Sequence, residues 1–400
     1  MKKSIVSIVK VPDYNPEKVK SGISKSLEHL GGMSAFVKPG QKVLLKPNIL
    51  LGLSPDKAAT THPAVIAAVA ELVKEAGGIV FLGDSPGIGS FESAMKPTGI
   101  GKVVEELGIE LADFSNEQYF ECEENIIGKH INLAKAVADA DVIISIPKLK
   151  THVQMTMTCA VKNQYGLVVG MKKGEYHFRL ENRNALADLM IDINRITKPA
   201  LAICDAVEAM EGEGPSGGTP RYLGIILASA DFPALDVVAC EIIDLNPNNI
   251  PIIQACKRQN FGTTSLDEIE IAGESTESVK VTDFKQIENL QSVMRILPMP
   301  QFILKIIRRH WASRPRINKD KCVKCYKCRD GCPVSPSAIE PDRSIGKEVD
   351  DKTCIRCYCC HEFCIAKAID LKKPWFDRVF RVTKVMNFLN KHIGKFLPHI

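Results

Sequence analysis

From residue 4 to about residue 285, short apolar runs alternate with longer stretches of helical period. SIVSIVKV, QKVLLKP, GGIVFLGD, DVIISIPK, ALAICDAV and YLGIILAS are β-branched or leucine-rich, the composition of strands buried on both faces. Between several of them lie helix-like segments such as PAVIAAVAELVKEAGG, with Pro63 in its first turn and Gly77 at its stop. NALADLMIDINRITKP and PALDVVACEIIDL read the same way. Strand, helix, strand alternation predicts an α/β domain over 1–285 with a largely parallel sheet, whose ligands sit beyond the carboxyl ends of the strands.

The pattern changes after that. Residues 286–316 are apolar and basic with prolines and read as a linker. The tail, 373–400, places Val379, Val382, Met386, Leu389, Ile393 and Phe396 on one stripe flanked by Arg378, Arg381, Lys384, Lys391 and Lys395. This predicts a C-terminal basic amphipathic helix. Its stripe docks on the protein's own body, on a partner subunit, or peripherally on an anionic membrane through residues 374–400.

Composition narrows the function classes. Four hundred residues with 45% hydrophobic content bury an ample core, and no run of eighteen apolar residues predicts a membrane-spanning helix. A net charge of +5, with no basic run interleaved with aromatics, gives no nucleic-acid signature. The opening MKKSIVSIVKVPDYNP lacks the apolar core of a signal peptide, so the expectation is a reducing cytoplasm.

Nine of the fourteen cysteines fall within 317–372, in two phased quartets. Cys322, Cys325, Cys328 and Cys332 form one; Cys354, Cys357, Cys360 and Cys364 form the other, and Cys359 is surplus. A disulfide framework needs an oxidising compartment, and zinc uses C-x2-C pairs four ligands at a time. The C-x2-C-x2-C-x3-C run resembles the bacterial two-cluster ferredoxins, with Pro333 after the first quartet and Ile365 in the same place after the second. That resemblance implies a small α+β ferredoxin-like domain with two 4Fe-4S clusters. It also implies crosswise ligand sets: Cys322, Cys325 and Cys328 with Cys364, and Cys354, Cys357 and Cys360 with Cys332. Lys319, Lys321, Lys324, Lys327 and Arg329 around the first quartet suit an acidic redox partner such as a ferredoxin or flavodoxin.

Polar clusters follow the predicted strands: KPN at 46–48, THP at 61–63, GDSPG at 83–87, PKLKTH at 147–152, VKNQYG at 161–166 and DAVEAMEGEGP from 205. Together they resemble the family catalogued as domain of unknown function 362, over roughly the first 285 residues. That family has no assigned chemistry, so the resemblance implies a shared site and no reaction. From the residues themselves, Lys46, Asn48, Thr61, His62, Lys150, Lys162 and Asn163 are candidate binders of an anionic ligand. Lys148, His152 and Asp84 are the candidate catalytic groups, and the histidines with Asp84 and Asp205 are usual metal ligands or acid/base partners. The plain alternatives are solvated loop lysines, and a helix start capped by Thr61 with His62 merely packing. EGEGPSGGTPR at 211–221 is too rich in glycine and proline for an element interior and reads as a lid or a mobile connection. The expected function is an iron–sulfur electron-transfer protein or oxidoreductase component acting on an anionic small molecule. A redox-sensing or cofactor-maturation protein and a peripheral membrane subunit are the alternatives.

Overall fold

The computed structural model describes residues 3–87, 89–170, 172–173, 176, 180, 183–287, 313–342 and 348–372. Contacts divide the chain into two compact units, Met1–Lys285 and Gln286–Ile400. Residues 288–312 of the expected linker and the whole expected tail lie outside the described residues.

In the first unit the strands are β1 (Ser4–Lys10), β2 (Lys42–Pro47), β3 (Ile79–Leu82), β4 (Glu110–Leu111), β5 (Glu117–Glu121), β6 (His130–Ala134), β7 (Val142–Ile146), β8 (Lys148–His152), β9 (Thr156–Thr158), β10 (Leu201–Glu211), β11 (Thr219–Ser229) and β12 (Ile269–Gly273). Ten of them build one sheet in the order β12-β1-β11-β10-β7-β2-β3-β4, with β8 paired to β10 and β9 to β8. The pairs β10/β7, β7/β2, β2/β3 and β3/β4 are parallel. Strand β11 runs antiparallel to both neighbours, so the sheet is mixed.

Side-chain alternation sorts this sheet into two faces. Val43 and Leu45 of β2, Val142, Ile144 and Ile146 of β7, and Leu201 and Ile203 of β10 pack beneath the helices Pro16–Glu28 and Pro63–Glu75. Leu44, Ile143, Ala202 and Cys204 point the other way, against Arg183–Thr197, Phe232–Ile242 and Pro251–Arg258. Both faces are covered, which is why these strands read as continuous apolar runs. Cys159, Cys204, Cys240 and Cys256 are buried in this interior, as small apolar side chains.

Two expectations change. The KLKTH run, read as a polar loop after β7, is strand β8, and all five of its residues are buried. Only Pro147 separates it from β7, and its pairing to β10 and β9 carries it into the sheet. The glycine-rich stretch from 211 is the connection of the β10/β11 hairpin, whose registered pairs run out to Glu211 and Thr219. It packs on β8: a Cβ on Gly214 would meet the Thr151 carbonyl oxygen at 2.1 Å.

The second unit has a two-stranded antiparallel ribbon of β13 (Arg314–Ile317) and β14 (Ile369–Lys372), and a bridge between Ile339 and Val349. Residues 314–316, assigned to the linker on composition, belong to β13. One-turn helices, Lys327–Asp330 and Cys359–Glu362, follow the two cysteine loops.

Candidate functional site

Because β2, β3 and β7 are parallel, their carboxyl ends share one edge of the sheet. Lys46 is the penultimate residue of β2 and Asp84 follows β3, and their Nζ and Oδ1 lie 2.8 Å apart. The ammonium also donates to the Pro47 carbonyl at 2.9 Å and to Asn163 Oδ1 at 3.1 Å, so all three of its protons are used. Asn48 Nδ2 donates to the same Asn163 oxygen, and Lys150 donates to Asn48 Oδ1 at 2.8 Å. Asn163 Nδ2 in turn donates to the Lys46 carbonyl and to Ser145 Oγ. Burial holds the Lys46 pKa below the ordinary lysine value, opposed by Asp84. Gly166 sits against this ion pair, where a Cβ would fall 2.2 Å from Asp84 Oδ1 and 2.5 Å from Lys46 Nζ. No larger residue fits without moving the pair.

A second constellation adjoins the first through consecutive residues. Thr61 Oγ1 accepts from the Asn48 amide and donates to the Ile146 carbonyl, while the next amide, His62, donates to Asp205 Oδ2 at 2.9 Å. Asp205, wholly buried, also accepts from Lys148 Nζ at 2.9 Å and from the Tyr14 hydroxyl at 2.9 Å. Lys148 donates to Tyr14 as well, and the tyrosine ring stacks on His62 with centroids 3.6 Å apart and planes 8° from parallel. Burial, then the Asp205 charge, pushes the Tyr14 pKa far up, so the phenol stays protonated. Tyr14 lies outside every motif read from the sequence, since its partners are distant in the chain.

The histidines have different work from that expected. His62 is itself the cap of the helix Pro63–Glu75: the Ala64 amide donates to its Nδ1 at 3.1 Å. Burial lowers its pKa to about 4, so the imidazole is neutral at physiological pH. His152 caps the tight turn into β9, its Nδ1 accepting from the amides of Gln154 and Met155. In both rings Nδ1 is occupied by backbone and is closed to a metal ion. The lysines expected to line the crevice are interior and not solvated loop residues: Lys46, Lys148 and Lys150 are each 1% exposed. The physical reason is β8, whose polar run is a sheet strand.

Lys162 was singled out in the sequence and Lys173 was not. Lys173 donates to the carbonyls of Ser85 and Pro86, and burial lowers its pKa to about 7, with Lys46 and Lys162 adding to the effect against Asp84. The buried edge thus carries Lys46, Lys148 and Lys150 together with Asp84 and Asp205.

In the second unit the cysteine loops are copies 32 residues apart, from Cys322 to Cys354. Lys324 and Tyr326 have φ of 52° and 56°; their counterparts Arg356 and Tyr358 have 62° and 63°. Left-handed backbone at two alternate residues winds each loop tightly round a centre. The first loop's Cys322, Cys325 and Cys328 line a small cavity with Cys364 from the second repeat, walled by Val323, Pro341, Ala366, Ala368 and Ile369. Burial and the neighbouring sulfurs, Cys364 first, push the Cys328 thiol up to about 12. Cys360 is raised by burial and by Cys357, Cys354, Cys328 and Cys332, the other crosswise set with one neighbour added. The Ala368 amide donates to Cys364 Sγ at 3.1 Å. Among the described residues no three His, Cys, Asp or Glu side chains converge as a single metal ion requires.

Residues 43–241 match the family described as Domain of unknown function (DUF362). The chain is similar to the thylakoid-associated protein sll1697 of Synechocystis sp., 39% identical over 263 residues, which is 66% of this chain and 81% of that protein. Among solved structures it is similar to the lactate racemase apoprotein of Thermoanaerobacterium thermosaccharolyticum, at 13% identity and a TM-score of 0.38, over 60% of this chain and 57% of that one. A Thermotoga maritima protein from a structural genomics consortium gives 17% identity and a TM-score of 0.33, over 54% of this chain and 56% of its own. The chain therefore spans less than two thirds of either solved chain.

Proposed function

Since the chain belongs to the DUF362 family, whose description assigns no reaction, we propose a function from the sites themselves: one-electron transfer through two 4Fe-4S clusters in a ferredoxin-like second unit. Cys322, Cys325, Cys328 and Cys364 would hold one cluster and Cys354, Cys357, Cys360 and Cys332 the other. The observation that carries this reading is the cavity lined by four cysteines, three from one repeat and the fourth from its copy. The donor chemistry fits: Cys328 and Cys360, raised by burial and by neighbouring sulfurs, stay protonated unless a metal cation replaces the protons. Bound there, such a cluster accepts or releases single electrons at a potential set by burial and by hydrogen bonds to its sulfurs. The chain's own part is to hold and shield. The Ala368 amide donates to a ligand sulfur, and Phe363 packs its ring on Gly331, where even a Cβ would lie 2.4 Å from it.

For the first unit, Lys46, Lys148 and Lys150 beside Asn48, Thr61 and Asn163 at the strand ends support an anionic small molecule, the ligand class that ammonium, amide and hydroxyl donors suit. Lys148, Asp84 and His152 stay candidates there through the groups they orient.

The test is anaerobic purification with iron and sulfide quantified. About eight irons per chain are expected, and Cys364→Ala should remove about half. Colourless, iron-free material would end this reading. A second reading, peripheral membrane attachment through 374–400, is favoured by the thylakoid-associated name of the relative. No helix among the described residues is long and apolar enough to cross a membrane. Equal sedimentation with anionic vesicles with and without 374–400 would remove it.

A further inference from the structure

The two cysteine loops are copies in backbone and opposites in surroundings. Each residue of the first can be compared with its counterpart 32 positions on. Tyr326 is half-buried where Tyr358 is 5% exposed, and Lys327 stands where Cys359 is buried. Arg329 and Asp330 stand on the surface where His361 and Glu362 are buried. Cys325 is exposed and Cys357 only partly so. The second copy lies inward and the first meets solvent.

The cavity of the first loop, closed by Cys364 of the second repeat, also has the apolar tip beside it. Val323, between Cys322 and Lys324, is 65% exposed, and Ile365, directly after Cys364, is 44% exposed. Both adjoin residues lining the four-cysteine cavity. Of the cations round it, Lys319 is paired with Glu348 at 2.9 Å, Lys324 with Asp342 at 2.9 Å, and Arg329 with Asp330 at 2.9 Å. The uniform basic ring expected from the sequence is thus partly neutralised within the chain. Lys321 and Lys327 have no acidic partner among the described residues; Lys321 directly precedes Cys322, and Lys327 lines the cavity. On the second copy, Ile355 is 39% exposed, but its neighbour Arg356 is buried beside Asp351 at 3.3 Å.

We infer that Val323 and Ile365, rimmed by Lys321 and Lys327, form the docking surface for an acidic one-electron carrier protein. The inference rests on the two-cluster reading and adds which of the two sites meets the partner. A small apolar centre with unpaired cations beside it suits a transient redox encounter, where rim charge sets the on-rate and its salt dependence. A second copy of this chain is disfavoured as occupant, because a two-fold contact would set these lysines against themselves.

The test is calorimetric titration of the iron-loaded full chain with oxidised flavodoxin as the acidic probe. Val323→Glu combined with Ile365→Glu should weaken Kd by at least about tenfold, and Ile355→Glu should change it less than about twofold. Raising salt from about 0.05 to 0.3 M should weaken the unmodified chain and flatten that difference. Iron content and the electron paramagnetic resonance signal check that the variants are intact; where the glutamates disturb them, Val323→Thr with Ile365→Thr carries the comparison. Unchanged affinity, or an equal loss in Ile355→Glu, overturns the docking surface while leaving the clusters standing. Loss of the clusters themselves is visible as absent iron before any titration.

Discussion

His62 shows how one side chain can be read correctly for position and wrongly for role. THP at a helix start is a capping signature, and the cap is the imidazole, with Thr61 tied instead to Ile146 and Asn48. A buried neutral imidazole has a pH consequence. Its pKa is lowered from 6.5 to about 4, so across that window the unfolded chain binds a proton that the folded chain refuses. The stabilisation is complete above pH 6.5 and is lost as pH falls toward 4. His62→Asn, which retains a capping oxygen, should cost about 1 kcal/mol at pH 7 through loss of the Tyr14 stack and so lower the melting temperature slightly. It should also flatten the decline between pH 6.5 and 4; melting curves across that range check it, and an unaltered slope would assign the decline to other groups.

At the scale of elements, local pattern decides strands and helices where both faces are apolar and fails where a strand is polar. The run from Val142 to Ile146 was legible, and Lys148–His152 was not, because what buries β8 is its pairing with β10 and β9. Connections obey long-range ties in the same way. Asp192, wholly buried on the helix Arg183–Thr197, accepts from the amides of Ile126, Ile127 and Gly128 at 3.0, 2.7 and 2.9 Å, pinning the β5/β6 turn. Asp192→Ala leaves those donors unpaired and Arg195 without its 3.2 Å partner, at a cost of about 3 kcal/mol. Urea denaturation measures the loss, and hydrogen exchange should quicken at the three amides. Unchanged exchange there would mean that the carboxylate does not hold the turn.

For the molecule as a whole, the two units differ in what stabilises them. The first has extensive apolar layers on both faces of its sheet. In the second, Cys328, Ile339, Val349, Cys360 and Ile369 form the buried cluster, with Ile317, Cys332, Cys354 and Cys364 packed against it, so cysteines make up much of the interior. An apolar cluster of the size formed by the described residues does not by itself hold them folded without a staple. If the two proposed clusters are that staple, chelation of iron should abolish amide protection in 313–342 and 348–372. Full protection in iron-free material would show that the apolar cluster suffices by itself.

What the sequence determined alone was whatever depends on near neighbours: the alternation that makes an α/β sheet, the proline and glycine punctuation of its helices, and two cysteine loops of one spacing and one backbone course. Tertiary structure decided the partners. Lys46 meets Asp84 and Lys148 meets Asp205 because parallel strands bring remote residues to one edge. Lys319 and Lys324 are neutralised by Glu348 and Asp342, acids that follow the loop by many residues. The reason is range: backbone preference acts over a few residues, whereas burial and ion pairing depend on which distant segments the fold sets side by side.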